Sequence, residues 1–406
     1  MNFIRRQTIF VFTVVLISLL TVQPHDALAQ SILQKPKTSP HAQQQNSLII
    51  TVRSGKQAAF VSDLHIESRE MNAALRQAKI VPASASEVDV YSDIYITLLA
   101  PEATYYRLER SGQLWNETKT ERTILPSKMT EKLIRLAEAL RTQHYGELLS
   151  WQQSTQILPN KSIFSVTELE TGLTFNVQRR AGSDHADVQP LTKDDSRIMK
   201  QIYHGRWSWK RKAVLIHAGE AWIAASMNGM PHGGDGIPEN GFSGHFCIHF
   251  YLSSTHKSDL PDLAHQIMVH KAAGNLKPFF DSASPLVLAK SFIEIMNHQD
   301  QGLLQQVAEG ISKEKFAYFV KEMESLDSIR EKKQSKYKGA SDTDDGGFDE
   351  SLSAEIRLPI TIHKQNHAER NTGYRFIFKR ESKQSPWRIQ NILTDEDNMD
   401  SNIQMK

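Results

Sequence analysis

A single cysteine, Cys247, stands in a chain of 406 residues. No disulfide within the chain can therefore cross-link any part of the fold. An odd cysteine points to pairing with another molecule or to a free thiol with a purpose. A small buried residue is the plain alternative. The N-terminus bears on that choice. Arg5 and Arg6 form a positive start, Ile9 to Val22 an apolar run, and Ala27-Leu28-Ala29 a small-residue cleavage site. Residues 1–29 thus read as a secretory signal peptide, too short in its apolar part for a comfortable membrane span. An uncleaved anchor is the alternative. The expected location is secreted, outside the cytoplasm, with no membrane span after signal cleavage.

The formal charge of +2 argues against a nucleic-acid partner. The length predicts two or three domains. Residues 30–46 are rich in Gln, Ser, Pro and Lys, which makes a flexible linker.

From there the patterning predicts an α+β multidomain chain, with a β-rich central domain flanked by two small α+β domains. The N-terminal domain, 47–148, opens on a strand at Leu48-Ile49-Ile50-Thr51-Val52. A helix is expected over 66–80, strands over 88–99 and 105–108, and an amphipathic helix capped by Ser127 and running to about Arg141. The central domain, 150–276, begins with a hairpin, Ile163–Val166 and Leu173–Val177, turning at Glu170-Thr171-Gly172. A short helix is expected over 194–203 and a second hairpin over 214–217 and 222–225. A Gly-rich stretch over 228–244, a strand over 246–252 and a helix over 261–273 follow. The C-terminal domain, 284–400, starts at the helix signal Ser284-Pro285. A second helix is expected over 313–326 and strands over 354–363, 373–379 and 387–393. This element order resembles NTF2-like and cystatin-like folds, which implies architecture and not activity. The acidic run Ser341 to Gly347 does not match calcium-loop spacing and reads as a solvated loop.

Histidine concentrates in the central domain, around the only cysteine. In a strand over 246–252, residues two apart share a face. His245, Cys247 and His249 then lie together, and Phe246, Ile248 and Phe250 face a core. A thiol becomes a nucleophile when a neighbour takes its proton. This pattern nominates Cys247 as nucleophile, His245 as general base and His232 as the residue that orients substrate or base. The Gly-rich stretch offers backbone N–H groups to a developing oxyanion.

His232-Gly233, a spacer, then Gly244-His245-Phe246-Cys247-Ile248-His249 resembles the signature of the L,D-transpeptidases, the YkuD-like cysteine enzymes of bacterial cell walls. That signature is His-Gly, a spacer, then Ser/Thr-His-Gly-Cys-Ile/Val-Arg. Asp262-Leu263-Ala264-His265-Gln266 fits the place where that family has an Asp opening a helix. Gly244, Phe246 and His249 stand where it has Ser or Thr, Gly and Arg, and the spacer is shorter. The resemblance implies acyl transfer on peptidoglycan stem peptides, with no cofactor, and binding roles for Gly233, Gly244 and His249.

The rival chemistry is zinc. His185 and Asp187 lie two apart, and with His232, His245 and His249 they offer nitrogen and oxygen ligands, Cys247 being a further one. The chain lacks a His-Glu-x-x-His helix and a His-x-His pair. A third reading is a non-catalytic module that binds cell-wall polymer or a protein partner. Trp207 and Trp209, alternating on a strand, suit packing or stacking on sugar rings. Arg179, Arg180, Lys210, Arg211 and Lys212 read as a solvated basic face.

Overall fold

The structure is a computed structural model that describes residues 47–99, 102–234, 236–255, 258–332 and 348–394. The residues expected to form a signal and a linker, 1–46, and the acidic run 341–347 lie outside the described residues. The chain is a mixed α+β protein with several antiparallel sheets. No helix among the described residues is long and apolar enough to cross a membrane.

Seven strands build the first sheet: β1 (Ser47–Val52), β2 (Ser62–Ile66), β3 (Lys79–Pro82), β4 (Val90–Leu99), β5 (Ala103–Glu109), β6 (Leu114–Asn116) and β7 (Glu121–Ile124). Their order is β2-β1-β4-β5-β6-β7-β3. The helix expected over 66–80 is shorter, α1 (Arg69–Gln77). Its flanks go to the sheet because Ile66 pairs with Leu48 in β1 and Lys79 with Ile124 in β7. Ser68 caps it by accepting a bond from the Met71 N–H. The helix α2 (Ser127–His144) lays Met129, Leu133, Ala137 and Leu140 on the core. Pro126, not Ser127, takes its cap position, and the Pro126 carbonyl accepts the first helical bonds.

After α3 (Trp151–Ile157), six strands close a barrel: β8 (Ile163–Glu168), β9 (Thr174–Ala181), β10 (Ala186–Pro190), β11 (Lys212–Ala218), β12 (Ala221–Met227) and β13 (Phe246–His249). Closure gives each of the six strands two neighbours. The neighbours run β10-β13-β12-β11-β8-β9. Inward residues such as Phe175, Val188, Ile216, Ala225, Phe246 and Ile248 fill the barrel. Each large apolar side chain buried this way contributes about 1.5–3 kcal/mol. The strand expected to run to 252 ends at His249, because Ser253 turns the chain back with its N–H on the Phe250 carbonyl. A small ribbon, β14 (Ser254–Thr255) and β15 (Ser258–Pro261), follows. The helix α4 (Lys193–Ile202), with Thr192 and Asp195 as a reciprocal cap, packs on β9 and β10. Trp207 and Trp209 lie on an irregular segment before β11 and not on a strand.

The helix α5 (Leu263–Ala272) is buried along its length, packed on the outer face of β11 and β12 and against α7 (Pro285–His298). Between them lies α6 (Leu276–Ser282), and beyond them α8 (Gln301–Val307) and α9 (Lys313–Glu324). Ser284 and Pro285 start α7 as the sequence predicts. Four strands close the chain: β16 (Leu326–Glu331), β17 (Ser353–Lys364), β18 (Arg370–Lys379) and β19 (Arg388–Thr394), in sequential order. The expected helix over 313–326 stops at Glu324 because Leu326 enters β16 opposite Lys364. One apolar cluster joins Leu215 and Ala224 on the barrel's outer face, Ile267 and Met268 of α5, Phe292 of α7 and Phe376 of the last sheet.

Candidate functional site

Alternation along β13 divides two chemistries. Phe246 and Ile248 enter the barrel core, while Cys247 and His249 project to the outer face. The register sets Asp187 of β10 opposite Cys247 and Ser226 of β12 opposite His249. His185, just ahead of β10, stacks on His249 with ring centroids 4.4 Å apart. His265 of α5 stacks on the other face of His249 at 3.7 Å. The outer face is therefore closed by α5 and is not half-exposed. His185, Asp187, Cys247 and His249 are each 5 % exposed or less.

A loop brings the other two imidazoles in. Between β12 and β13 the chain pairs with itself: the His232 N–H donates to the His245 carbonyl at 2.9 Å, and the His245 N–H donates to the His232 carbonyl at 2.8 Å. Glycine permits this approach. Gly233 has φ +78°, and a Cβ there would lie 2.2 Å from the His245 ring. Gly244 has φ +90°, and a Cβ there would lie 2.3 Å from the His232 carbonyl oxygen. Both glycines thus have a steric reason as neighbours of the site.

The result is a thiol–imidazole pair. His232 Nε2 lies 3.2 Å from Cys247 Sγ. His232 Nδ1 lies 2.9 Å from the Met230 carbonyl oxygen, which can only accept, so Nδ1 carries the proton. In the neutral ring, Nε2 then presents its lone pair to the thiol. His245 takes the other side. Its Nε2 lies 3.6 Å from Asp187 Oδ1. His232, expected to orient substrate or base, makes the thiol contact expected of a base. Residues two apart on one strand are separated by about 7 Å, farther than neighbours across a pair.

Asp187 is the centre of the cluster. Its Oδ1 lies 3.3 Å from His185 Nε2 and 3.7 Å from Cys247 Sγ. His185 Nδ1 donates to the Ser254 carbonyl at 3.0 Å. Burial pushes the Cys247 thiol up to about 12, and the Asp187 carboxylate adds to that. A hydrogen bond from Asn228 and the charge of Arg211 pull it down. Burial holds His265 neutral, well below the usual histidine range, and its Nδ1 shares a 2.9 Å bond with the Ser226 hydroxyl.

No family model and no curated protein matches this chain.

Of the basic residues expected on a solvated face, Arg180 is exposed, while Arg179, Arg211 and Lys212 are tied into the fold. Arg179 is buried and holds the Leu158 and Gly182 carbonyls, and Lys212 pairs with Glu168 and Glu170. Arg211 ties three segments together. It donates to Asp262, the cap of α5, at 3.0 Å, to the Trp209 carbonyl at 3.1 Å, and through its backbone N–H to His298 of α7 at 3.0 Å. Trp209, 52 % exposed, lies beside His232 with ring centroids 5.3 Å apart. Trp207 packs edge-on against Phe242. Sequence reasoning gave no role to Ser226, Asn228 or His265. Ser226 follows the expected strand 222–225, Asn228 opens the Gly-rich stretch, and His265 lies in the expected helix over 261–273, so no local pattern singled them out.

Proposed function

We propose that this protein is an exported cysteine acyltransferase of the L,D-transpeptidase-like kind, acting on peptidoglycan stem peptides from the central barrel. The observation that carries the reading is the 3.2 Å contact between Cys247 Sγ and a His232 Nε2 whose tautomer is set by the Met230 carbonyl. The signature residues His232-Gly233 and His245-x-Cys247-Ile248 support the substrate class, and the N-terminal signal supports export.

In the first half-reaction His232 Nε2 takes the thiol proton as Sγ attacks the peptide carbonyl carbon. The resulting tetrahedral species collapses by breaking its C–N bond. His232 returns the proton to the departing amine, leaving a thioester on Cys247. In the second, an acceptor amine attacks the thioester, gives its proton to His232, and Sγ leaves. A thiol held protonated at rest suits this order, in which proton transfer accompanies attack. Trp209 and the exposed Gly233-Gly234 edge lie on the side from which a peptide reaches the pair. His245 orients that edge through its bridge to His232.

A zinc hydrolase reading draws on the same side chains. Zinc needs imidazole lone pairs that converge on it, and the His185 and His249 rings stack nearly parallel with centroids 4.4 Å apart. The acyltransferase reading is therefore preferred. The test is mass spectrometry of the mature protein after incubation with a tetrapeptide-stem muropeptide and an amine acceptor. Expected are an adduct on Cys247 and an exchanged peptide product, both lost in Cys247→Ala. Product formation that survives Cys247→Ala would overturn the reading.

A further inference from the structure

We infer that Asn228 serves the thiol site from both ends of its carboxamide, the NH2 donating to Cys247 Sγ and the oxygen holding the Met230 turn that sets the His232 tautomer. The register places it there. Ser226 pairs with His249 and Met227 with Ile248 across β12 and β13. One step on, Asn228 stands opposite Cys247, and its backbone N–H donates to the Cys247 carbonyl at 3.4 Å. Directly opposed residues share a face, with Cβ atoms about 4.5–5.5 Å apart. Cys247 thus has Asp187 across from it on one side and Asn228 on the other, both buried.

Met230 decides which end of the carboxamide faces the sulfur. Asn228 Oδ1 accepts from the Met230 N–H at 3.4 Å, and a backbone N–H can only donate. The NH2 end is then the one left for Sγ. A hydrogen bond from Asn228 pulls the thiol down, against burial and the Asp187 carboxylate. The Met230 carbonyl takes the His232 Nδ1 proton at 2.9 Å, and His232 Nε2 meets Sγ at 3.2 Å. The contacts close a ring that runs from Asn228 to Met230, to His232, to Cys247 and back to Asn228.

The ring divides the work. Sγ is faced by Asp187 of β10, by His232 of the loop and by the charge of Arg211 ahead of β11. The imidazole takes and returns protons, whereas the carboxamide offers the sulfur a donor that does not titrate. A hydrogen bond to the charged form favours it, so this donor stabilises the thiolate. In the second half-reaction the C–S bond breaks and its electron pair stays on Sγ. Asn228 holds that charge until His232 passes on the proton it took from the acceptor amine, which restores the thiol. The carboxamide itself gains and loses nothing.

The role in turnover rests on the acyltransferase reading, but the contact with the thiol does not. The test times alkylation of Cys247 by iodoacetamide at pH 8 in the mature protein, Asn228→Ala and Asn228→Asp, beside acyl transfer to an amine acceptor. Asn228→Ala should slow alkylation about tenfold or more, since losing a hydrogen bond to a charged group moves the thiol up by about one unit or more. Asn228→Asp keeps an oxygen for the Met230 N–H but sets a second carboxylate beside Sγ, and should slow alkylation at least as much. It carries the test if Asn228→Ala does not fold. A side chain that only packs gives the opposite sign, because loosening the fold exposes a buried thiol and speeds its alkylation. Unchanged or faster alkylation in Asn228→Ala, or in Asn228→Asp where that variant alone folds, overturns the inference. Such rates beside acyl transfer by the wild type remove the inference and leave the proposed function. Slowed alkylation in a protein whose wild type transfers no acyl group does the reverse.

Discussion

His232 and Cys247 stand fifteen residues apart in sequence and 3.2 Å apart in space, with the second nitrogen of the imidazole committed to the Met230 carbonyl. That commitment leaves Nε2 of His232 as a nitrogen that can accept a proton from the thiol. His245, nearer in sequence, faces the Asp187 carboxylate. The two histidines therefore make different predictions.

Replacing His232 with Gln should lower acyl transfer by about 100-fold or more, the usual contribution of a positioned base. It should also move the onset of Cys247 alkylation to higher pH. His245→Gln removes a neighbour of Asp187 and should cost less. Steady-state rates and alkylation profiles of the two variants separate the roles. Equal losses in both would remove the distinction.

Gly244→Ala places a Cβ against the His232 carbonyl oxygen at a left-handed backbone position. A forced conformation of that kind costs about 1–3 kcal/mol. The backbone bridge between His232 and His245 should open, so activity falls further than the melting temperature suggests. Thermal unfolding and kcat measured together provide the check.

Trp209 touches His232 from a position that is 52 % exposed. Trp209→Ala should leave the melting temperature nearly unchanged and raise KM by about two- to tenfold, the value of about 0.5–1.5 kcal/mol of aromatic contact. A lower melting temperature with an unchanged KM would mean that the ring only packs.

Glu294 faces Arg211 from α7, and burial raises its carboxyl from 4.5 to about 7, with Arg211 opposing the rise. Between these values the folded chain keeps a proton that the unfolded chain has lost, so stability falls as pH rises through that window. The loss is at most about 3 kcal/mol. His144, His270 and His298 act in the opposite sense. Burial lowers each from 6.5 to about 4, so the unfolded chain binds protons first and stability falls as pH drops below 6.5. Glu294→Gln should gain stability over wild type progressively from pH 4.5 to 7 and hold that gain above it. Urea midpoints at pH 5, 6, 7 and 8 test this, and a gap that does not change with pH would contradict it.

Much of the scaffold was legible because its signals are local. The Ser284-Pro285 helix start, the hairpin turning at Glu170-Thr171-Gly172 and the amphipathic face of α2 depend on neighbours within a few residues. Errors fell where pairing partners are distant. Ile66 and Lys79 carry helix-compatible sequence but are claimed by strands that begin at Ser47 and end at Ile124. Leu326 leaves the helical pattern because Lys364 lies opposite it. The basic run at 210–212 looked solvated because its partners, Asp262, Glu168 and Glu170, are remote or in another element.

The sequence by itself determined the residue types of the site and the division of β13 into an apolar face and a Cys/His face, since alternation is a property of any strand. It also determined where glycine would let the chain turn back. Only the tertiary structure decided that Asp187 pairs across to Cys247, that α5 seals the outer face with His265, and that His232 meets the thiol while His245 meets the carboxylate. The reason is geometric. Neighbours along a strand are held about 7 Å apart on one face, so a thiol finds its proton acceptor and its carboxylate on other strands and loops. Which strands those are depends on the register of a closed barrel, which no local pattern encodes.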